Sequence, residues 1–223
     1  MTVPAFEIGQ TEVTVAAYGE YLDSVGPECT NPGDGGSCFP GDLWEGCNYG
    51  EDGRQQHPVD CVTWFQAEGY CLWAGKRLCS ESEWEKVAAG PDSRKYPWGP
   101  EMCEGWADSP TCKYANVEQE GGTGCGEDGK ESTLPVGGRP KGASPFGALD
   151  MIGNVREWVA DDWHKWCSDT PLDGGAWVEE PRSAERVVRG CNFMDPPCTS
   201  QKRHSWRAAD GGHWTGFRCC RSL

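Results

Sequence analysis

Two carboxylates seven residues apart, Asp150 and Glu157, bracket a Gly-Asn turn in the run Asp150-Met151-Ile152-Gly153-Asn154-Val155-Arg156-Glu157. A hard cation such as calcium takes about six to eight oxygens from carboxylates, amides and main-chain carbonyls, and irregular chain around a turn presents all three. The same carboxylates would equally cap the turn and pair with arginine, and both readings stay open at this stage. A second grouping lies in residues 199–215, where Lys202, Arg203, His204, Trp206, Arg207, His213 and Trp214 gather within an acidic chain. Arg and Trp dominate binding hot spots, although either tryptophan would also serve as a core anchor beneath a loop. The four histidines, His57, His164, His204 and His213, show neither His-x3-His nor His-Glu-x-x-His spacing, so they predict no iron or zinc site. The chain also lacks a Gly-x-Ser-x-Gly elbow, a phosphate-cradling loop and a dinucleotide fingerprint.

The charge balance narrows the partners. With 35 acidic against 20 basic residues the formal charge is −15, the wrong sign for nucleic acid or an anionic membrane surface, whose phosphates need Lys and Arg. There are 14 cysteines and no Cys-x-x-Cys, the spacing structural zinc usually wants. Cys29, Cys38 and Cys47 are instead nine apart, which favours a disulfide-stapled protein of an oxidising compartment: secreted, periplasmic or otherwise extracytoplasmic. Connectivity is not readable from spacing, but the adjacent Cys219 and Cys220 should serve different partners. No stretch is apolar for the roughly 20 residues a membrane span needs. The opening Met1-Thr2-Val3-Pro4-Ala5-Phe6 has neither the basic start nor the apolar run of a signal peptide, so export would require a segment outside this sequence.

The elements that must position these groups are punctuated clearly. Thr14 caps a helix with Tyr18, Tyr21, Leu22 and Val25 on one face and Gly26 as its stop. Thr63-Trp64-Phe65-Gln66 reads as a capping box opening a helix that buries Trp64, Ala67 and Cys71 and ends at Gly75. Ser80-Glu81-Ser82-Glu83 is a second box, for a short helix closed by Gly90. Residues 27–56, rich in Gly, Asp and Cys, read as a surface insertion held by disulfides rather than by a core. Beyond residue 91, short apolar stretches predict strands at 134–136, 158–160, 186–189 and 216–219. With 31 glycines, 16 prolines and 12 tryptophans, the expectation is one loop-rich α+β domain over residues 1–223, pinned by aromatic anchors.

Eight stretches, in this order, carry a family resemblance: Gly9-Gln10-Thr11-Glu12-Val13-Thr14; His57-Pro58-Val59; Ala74-Gly75-Lys76-Arg77-Leu78 with Glu83-Trp84-Glu85; Tyr96-Pro97-Trp98-Gly99; Phe146-Gly147; Gly153-Asn154-Val155-Arg156-Glu157-Trp158; Val188-Arg189-Gly190; and Gly216-Phe217-Arg218-Cys219. Together they resemble the formylglycine-generating, or sulfatase-modifying-factor, family, whose fold is similar to that of C-type lectins. The resemblance implies calcium held by the side chains of Asp150 and Glu157 and the carbonyls of Gly153 and Val155. It implies a second calcium at Asn116, Val117, Asp128 and Lys130. It also places residues 199–215 along the family's substrate groove, so that Arg156, Asn192, Arg203, Trp206, Arg207 and Trp214 become candidate ligand-binding residues.

At the catalytic position the resemblance breaks. Oxidases of this family hold copper(I) between two cysteines spaced Cys-x4-Cys, soft thiolates that suit a soft ion. In Arg189-Gly190-Cys191-Asn192-Phe193-Met194-Asp195-Pro196-Pro197-Cys198, Asp195 stands at the first cysteine and Ser200 about five residues on. Asn192 replaces a serine and Arg156 a tryptophan of the active site. Cys191 and Cys198, seven apart, are the remaining catalytic candidates as a displaced pair, against the simpler reading that each belongs to a disulfide. Two functions follow. One is a calcium-stabilised, non-oxidase binding or accessory module, a monomer with a protein or peptide ligand. The other is a divergent copper- and oxygen-dependent oxidase of a peptide or protein cysteine.

Overall fold

The computed structural model describes residues 2–40, 46–99, 110–118, 125, 132–166, 170–212 and 214–223. Its three α-helices start at the three predicted caps. Helix α1 (Val15–Val25) opens with the Thr14 hydroxyl accepting from Ala17 N and stops at Gly26, whose φ of 78° suits a residue without a Cβ. Tyr18, Tyr21 and Leu22 are buried as expected, whereas Val25, in the last turn, is exposed. Helices α2 (Trp64–Trp73) and α3 (Glu81–Ala89) both carry complete capping boxes, Thr63 with Gln66 and Ser80 with Glu83.

Among the described residues, seven short strands form two sheets. Strands β1 (Phe6–Ile8), β7 (Cys219–Ser222) and β2 (Arg77–Leu78) make one antiparallel sheet in that order. The second runs β5 (Arg203–Arg207), β4 (Glu185–Arg189), β3 (Arg156–Asp162), β6 (Thr215–Phe217), with β3 and β6 parallel. The strand predicted at 134–136 is instead loop and turn: Val136 N bonds Gln56 O, and Gly137 N donates to Asp150. The strand predicted at 216–219 breaks at Arg218, which joins the two sheets. The sequence reading missed β1, β2 and β5. The first two are very short, and β5 (Arg-His-Ser-Trp-Arg) has no apolar alternation for a period-2 pattern to detect.

Three fully buried tryptophans act as the predicted anchors, each with its ring N–H satisfied. Trp64 donates to Val159 O, Trp158 to Val62 O and Trp84 to the Glu157 carboxylate, at 2.7, 2.9 and 2.9 Å. Arg218 completes the last of these contacts. Its Nε and Nη2 grip the Glu157 oxygens at 2.7 and 2.8 Å, and its remaining N–H groups reach the carbonyls of Gly9, Gln10 and Leu149. Glu157 and Arg218 are each 1% exposed, and removing one partner of such a pair strands the other charge in the core at a cost of about 3–5 kcal/mol.

Six disulfides link the described cysteines: 29–38, 47–61, 71–219, 79–220, 112–125 and 191–198. Cys219 and Cys220 do serve different partners, on α2 and beside β2. These two bridges span 148 and 141 residues, and loops of that length give the largest restriction of the unfolded chain, roughly 5 kcal/mol each in an entropic account. The 27–56 segment is more than a stapled excursion. Tyr18 Oη donates to Cys38 O, and Cys38 and Tyr49 pack into the core under α1 and α2. Among the described residues no helix is long and apolar enough to cross a membrane.

Of the fourteen cysteines, these bridges use all but Cys103 and Cys167, which lie outside the described residues. We therefore expect no more than two thiols to titrate in the denatured, unreduced protein. Four or more would show that at least one bridge is absent.

Candidate functional site

Two of the four residues at which the family resemblance breaks, Arg156 and Asp195, meet each other. Arg156, first residue of β3, holds Asp195 through both carboxylate oxygens, Nε to Oδ2 at 2.9 Å and Nη2 to Oδ1 at 2.6 Å. This is the bidentate geometry that makes Arg–carboxylate pairs strong, and both side chains are only about a fifth exposed, at 20% and 22%. The loop after β4 folds around the acid. Asn192 N donates to Asp195 Oδ2, Met194 N donates to Asn192 Oδ1, and Glu118 N donates to the Asp195 carbonyl. The 191–198 disulfide closes this loop.

That bond settles how the displaced thiol pair stands in the structure: Cys191 and Cys198 are bridged to each other and offer no thiolates. Asp195 presents hard oxygen already paired with a cation, and the Ser200 hydroxyl is buried without a hydrogen-bond partner. This donor set does not fit copper(I). One further grouping of metal-type side chains, Cys47 with Asp60 and Cys61, also has its two sulfurs joined.

The candidate ligand-binding residues divide into two sets. Arg156, Asn192 and Trp214 come together: Arg156 N bonds Trp214 O, and the Trp214 ring packs edge-on against Phe193 at 5.2 Å. Beside them lies a cavity of about 310 Å³ lined by Asn48, Arg54, Thr133, Phe193, Met194 and Trp214. Arg54 Nη1 lies 3.0 Å from His57 Nδ1, and burial, followed by the Arg54 charge, pushes the His57 pKa down to about 4, so the imidazole is neutral at pH 7. Arg203 belongs elsewhere. It grips Glu81 through Nε and Nη2 and stacks on Trp163, tying β5 to α3. Trp206 and Arg207 are exposed near the end of the same strand. His204, which the sequence groups with the basic and aromatic residues of 199–215, is half-buried with its Nε2 unpartnered. Its pKa is lowered by burial first and then by Arg156 and Lys202.

The carboxylates proposed for calcium lie in a buried acidic cluster. Asp150 accepts from Gly137 N, and its pKa is raised chiefly by burial. Glu12 neighbours it, 2% exposed with Oε2 unpartnered, and burial followed by the Asp150 charge lifts its pKa well above the usual carboxylate range. The left-handed backbone at Asp150, Gly153 and Asn154 (φ 56°, 86° and 62°) shapes the turn, and a Cβ at Gly153 would sit 2.3 Å from Asn116 O. Three carboxyls face the single guanidinium of Arg218, and this excess of oxygen fits a hard cation. Glu157 fits least well, because Arg218 and Trp84 already take both of its oxygens. For the second set, Asn116 is 3% exposed with Oδ1 unpartnered, as a cation ligand would be. Val117 is buried beside it, while Asp128 and Lys130 lie outside the described residues.

Comparison with known proteins places this geometry in a family. The formylglycine-generating enzyme of Thermomonospora curvata is 35% identical over 206 residues, 81% of this chain and 61% of that protein. Hercynine oxygenase of Mycolicibacterium thermoresistibile is 35% identical over 196 residues, 76% of this chain and 39% of that protein. The chain thus spans less than two thirds of the length of these curated relatives. PvdO from Pseudomonas aeruginosa superposes with a TM-score of 0.74 at 31% identity, covering 98% of this chain and 80% of that one. Treponema denticola variable protein 1, at 18% identity and a TM-score of 0.70 over 100% of this chain and 86% of its own, shares the fold alone. A family model described as "Sulfatase-modifying factor enzyme 1-like domain" matches residues 1–223, and the chain belongs to that family.

Proposed function

We propose that this domain is an extracytoplasmic, monomeric binding or accessory module that has exchanged the family's thiolate chemistry for recognition of a protein or peptide ligand. The observation that carries the reading is the Arg156–Asp195 pair, which already satisfies its own charges, Asp195 being the residue that the resemblance sets at a family catalytic cysteine. The neighbouring cavity supports it, combining Arg54 with the apolar surfaces of Phe193, Met194 and Trp214. Such a mixture suits a peptide that offers a carboxylate or carbonyl beside an aromatic or aliphatic side chain. The abundance of disulfides supports the compartment.

A second reading rests on the relatives named formylglycine-generating enzyme. It would make this chain a copper- and oxygen-dependent oxidase of a peptide cysteine, and it requires the 191–198 bridge to open. The protein, incubated with copper(I), oxygen, reductant and a Cys-x-Pro-x-Arg peptide, should leave the peptide thiol unconverted by mass spectrometry. Conversion to the aldehyde that disappears in Cys198→Ser would establish the oxidase instead.

We also propose calcium at Asp150, Gly153, Val155 and Glu157, with Glu12 adding charge nearby, and a second calcium at Asn116, Val117, Asp128 and Lys130. The ion would tie the central turn to β3, and its role is structural. A cation bound only by the folded state adds about 2.7 kcal/mol of stability at a hundredfold excess over its dissociation constant. Calcium should therefore raise the melting temperature, chelator should lower it, and Glu157→Ala should lose both the increment and baseline stability. If Glu157→Ala lowers stability but keeps the full calcium increment, Glu157 serves Arg218 alone. If chelator changes nothing, neither site exists.

A further inference from the structure

Asp60 carries one carboxylate oxygen that neither the fold nor the proposed function uses. It is 0% exposed, and Asn48 N donates to its Oδ1 at 2.7 Å, while Oδ2 is buried with no partner. A buried carboxylate oxygen without a donor is costly when ionised, so its retention calls for a chemical reason. The group it faces is a disulfide: a carboxylate oxygen of Asp60 and the sulfurs of Cys47 and Cys61 all lie within 4.8 Å of one another. Cys61 is buried and sits at φ 58°, a left-handed conformation that a non-glycine residue adopts only under constraint, and Gly211 packs closely on its carbonyl. Cys47 is half-buried, between Gly46 and Asn48, both of which line the 310 Å³ cavity.

We propose that the Cys47–Cys61 bridge is a thiol–disulfide exchange site, with Asp60 as its proton donor and acceptor and a thiol entering by the cavity as co-reactant. The incoming thiolate attacks Cys47 Sγ, a new S–S bond forms to the substrate sulfur, and the Cys47–Cys61 bond breaks. The electron pair leaves on Cys61, and the Asp60 carboxyl protonates that thiolate. A second thiol, on the same substrate or another, attacks the mixed disulfide and releases Cys47 as a thiolate that takes a proton from water. In total two thiols are oxidised to a disulfide and the bridge is reduced to two thiols. The half-buried, attacked cysteine and the buried, leaving cysteine are thus distinct, and a carboxylate oxygen of Asp60 lies within 4.8 Å of both sulfurs, where the proton is needed.

Burial raises the Asp60 pKa to about 7, against smaller opposing contributions from its backbone hydrogen bonds and the Arg54 charge. Arg54 is the charged side chain acting on it, and His57, on the same segment, stays neutral near pH 7. A carboxyl poised there can give and take a proton near neutrality. Below about pH 7 the protonated acid assists departure of Cys61. Above it, the carboxylate repels the departing thiolate and cannot protonate it.

The protein supplies its own control. The Cys29–Cys38 bridge likewise joins a half-buried to a buried cysteine, but the Tyr21 hydroxyl lies beside its sulfur at 3.7 Å where Asp60 stands in the other. Treat the intact oxidised protein with glutathione across pH 5.5 to 8.5, trap thiols by alkylation and quantify each bridge by peptide mass spectrometry. With rates divided by the thiolate concentration, Cys47–Cys61 should open about tenfold faster than Cys29–Cys38 at low pH, and that advantage should fall as pH passes about 7. Asp60→Asn, which keeps shape and removes the transferable proton, should abolish both the advantage and the step. If Asp60→Asn does not fold, the comparison within the wild-type protein still decides. Equal rates for the two bridges, or a normalised rate for Cys47–Cys61 that is flat with pH, overturn the proposal.

Discussion

A buried arginine–glutamate pair holds the ends of the chain together. Arg218 lies between the two sheets, and its guanidinium meets Glu157 on β3, the carbonyls of Gly9 and Gln10 near the N-terminus, and Leu149 in the central loop. Trp84 brings α3 to the same carboxylate. An ion pair in this setting is weak evidence for stability, since desolvating both charges offsets much of their attraction. Its contribution is to specify position. All of the guanidinium's contacts are made only when β3, β6, β7, α3 and the first segment are in register. A small, loop-rich domain whose strands run from two to seven residues has few other means of fixing that register.

The surrounding chemistry follows from this constraint. Because Glu157 is committed to Arg218, the neighbouring Glu12 and Asp150 are left with more oxygen than positive charge, the imbalance on which the proposed calcium site rests. One residue before Glu157, on the opposite side of β3, Arg156 points toward the loop after β4. There it meets Asp195, which the family resemblance sets at the position of an oxidase thiolate. Two residues 39 apart in sequence thus form a single compensated pair, and the loop after β4 is organised by hydrogen bonds around a carboxylate. The chain keeps the family's scaffold while its chemical centre carries a different pair of groups.

Much of this was readable before the structure. The Thr63 and Ser80 capping boxes placed α2 and α3 because a cap is local chemistry, encoded within four residues. The adjacent Cys219 and Cys220 had to diverge, since neighbouring strand residues point to opposite faces. Long-range pairing was less accessible. Arg156 and Asp195 were each seen as departures from a motif, yet nothing in one-dimensional spacing says that they touch. Arg218 looked like strand interior, and only the burial of its charge explains why the strand breaks there. Trp206, grouped with Trp214 by proximity in sequence, separates from it because β5 is an edge strand while Trp214 packs on Phe193. Asp60 gave no signal at all, because a lone aspartate beside a cysteine acquires its character only when buried.

The centre at Arg156 and Asp195 is either a closed ion pair or a soft-metal site. Crystals grown from oxidised protein and soaked in copper(I) under reductant, with diffraction measured at the copper edge, would address it directly. The predicted result is an intact Cys191–Cys198 bond, Arg156 paired with Asp195 through both oxygens, and no anomalous peak in the loop. An anomalous peak between the Cys191 and Cys198 sulfurs, with Arg156 swung away from Asp195, would contradict it.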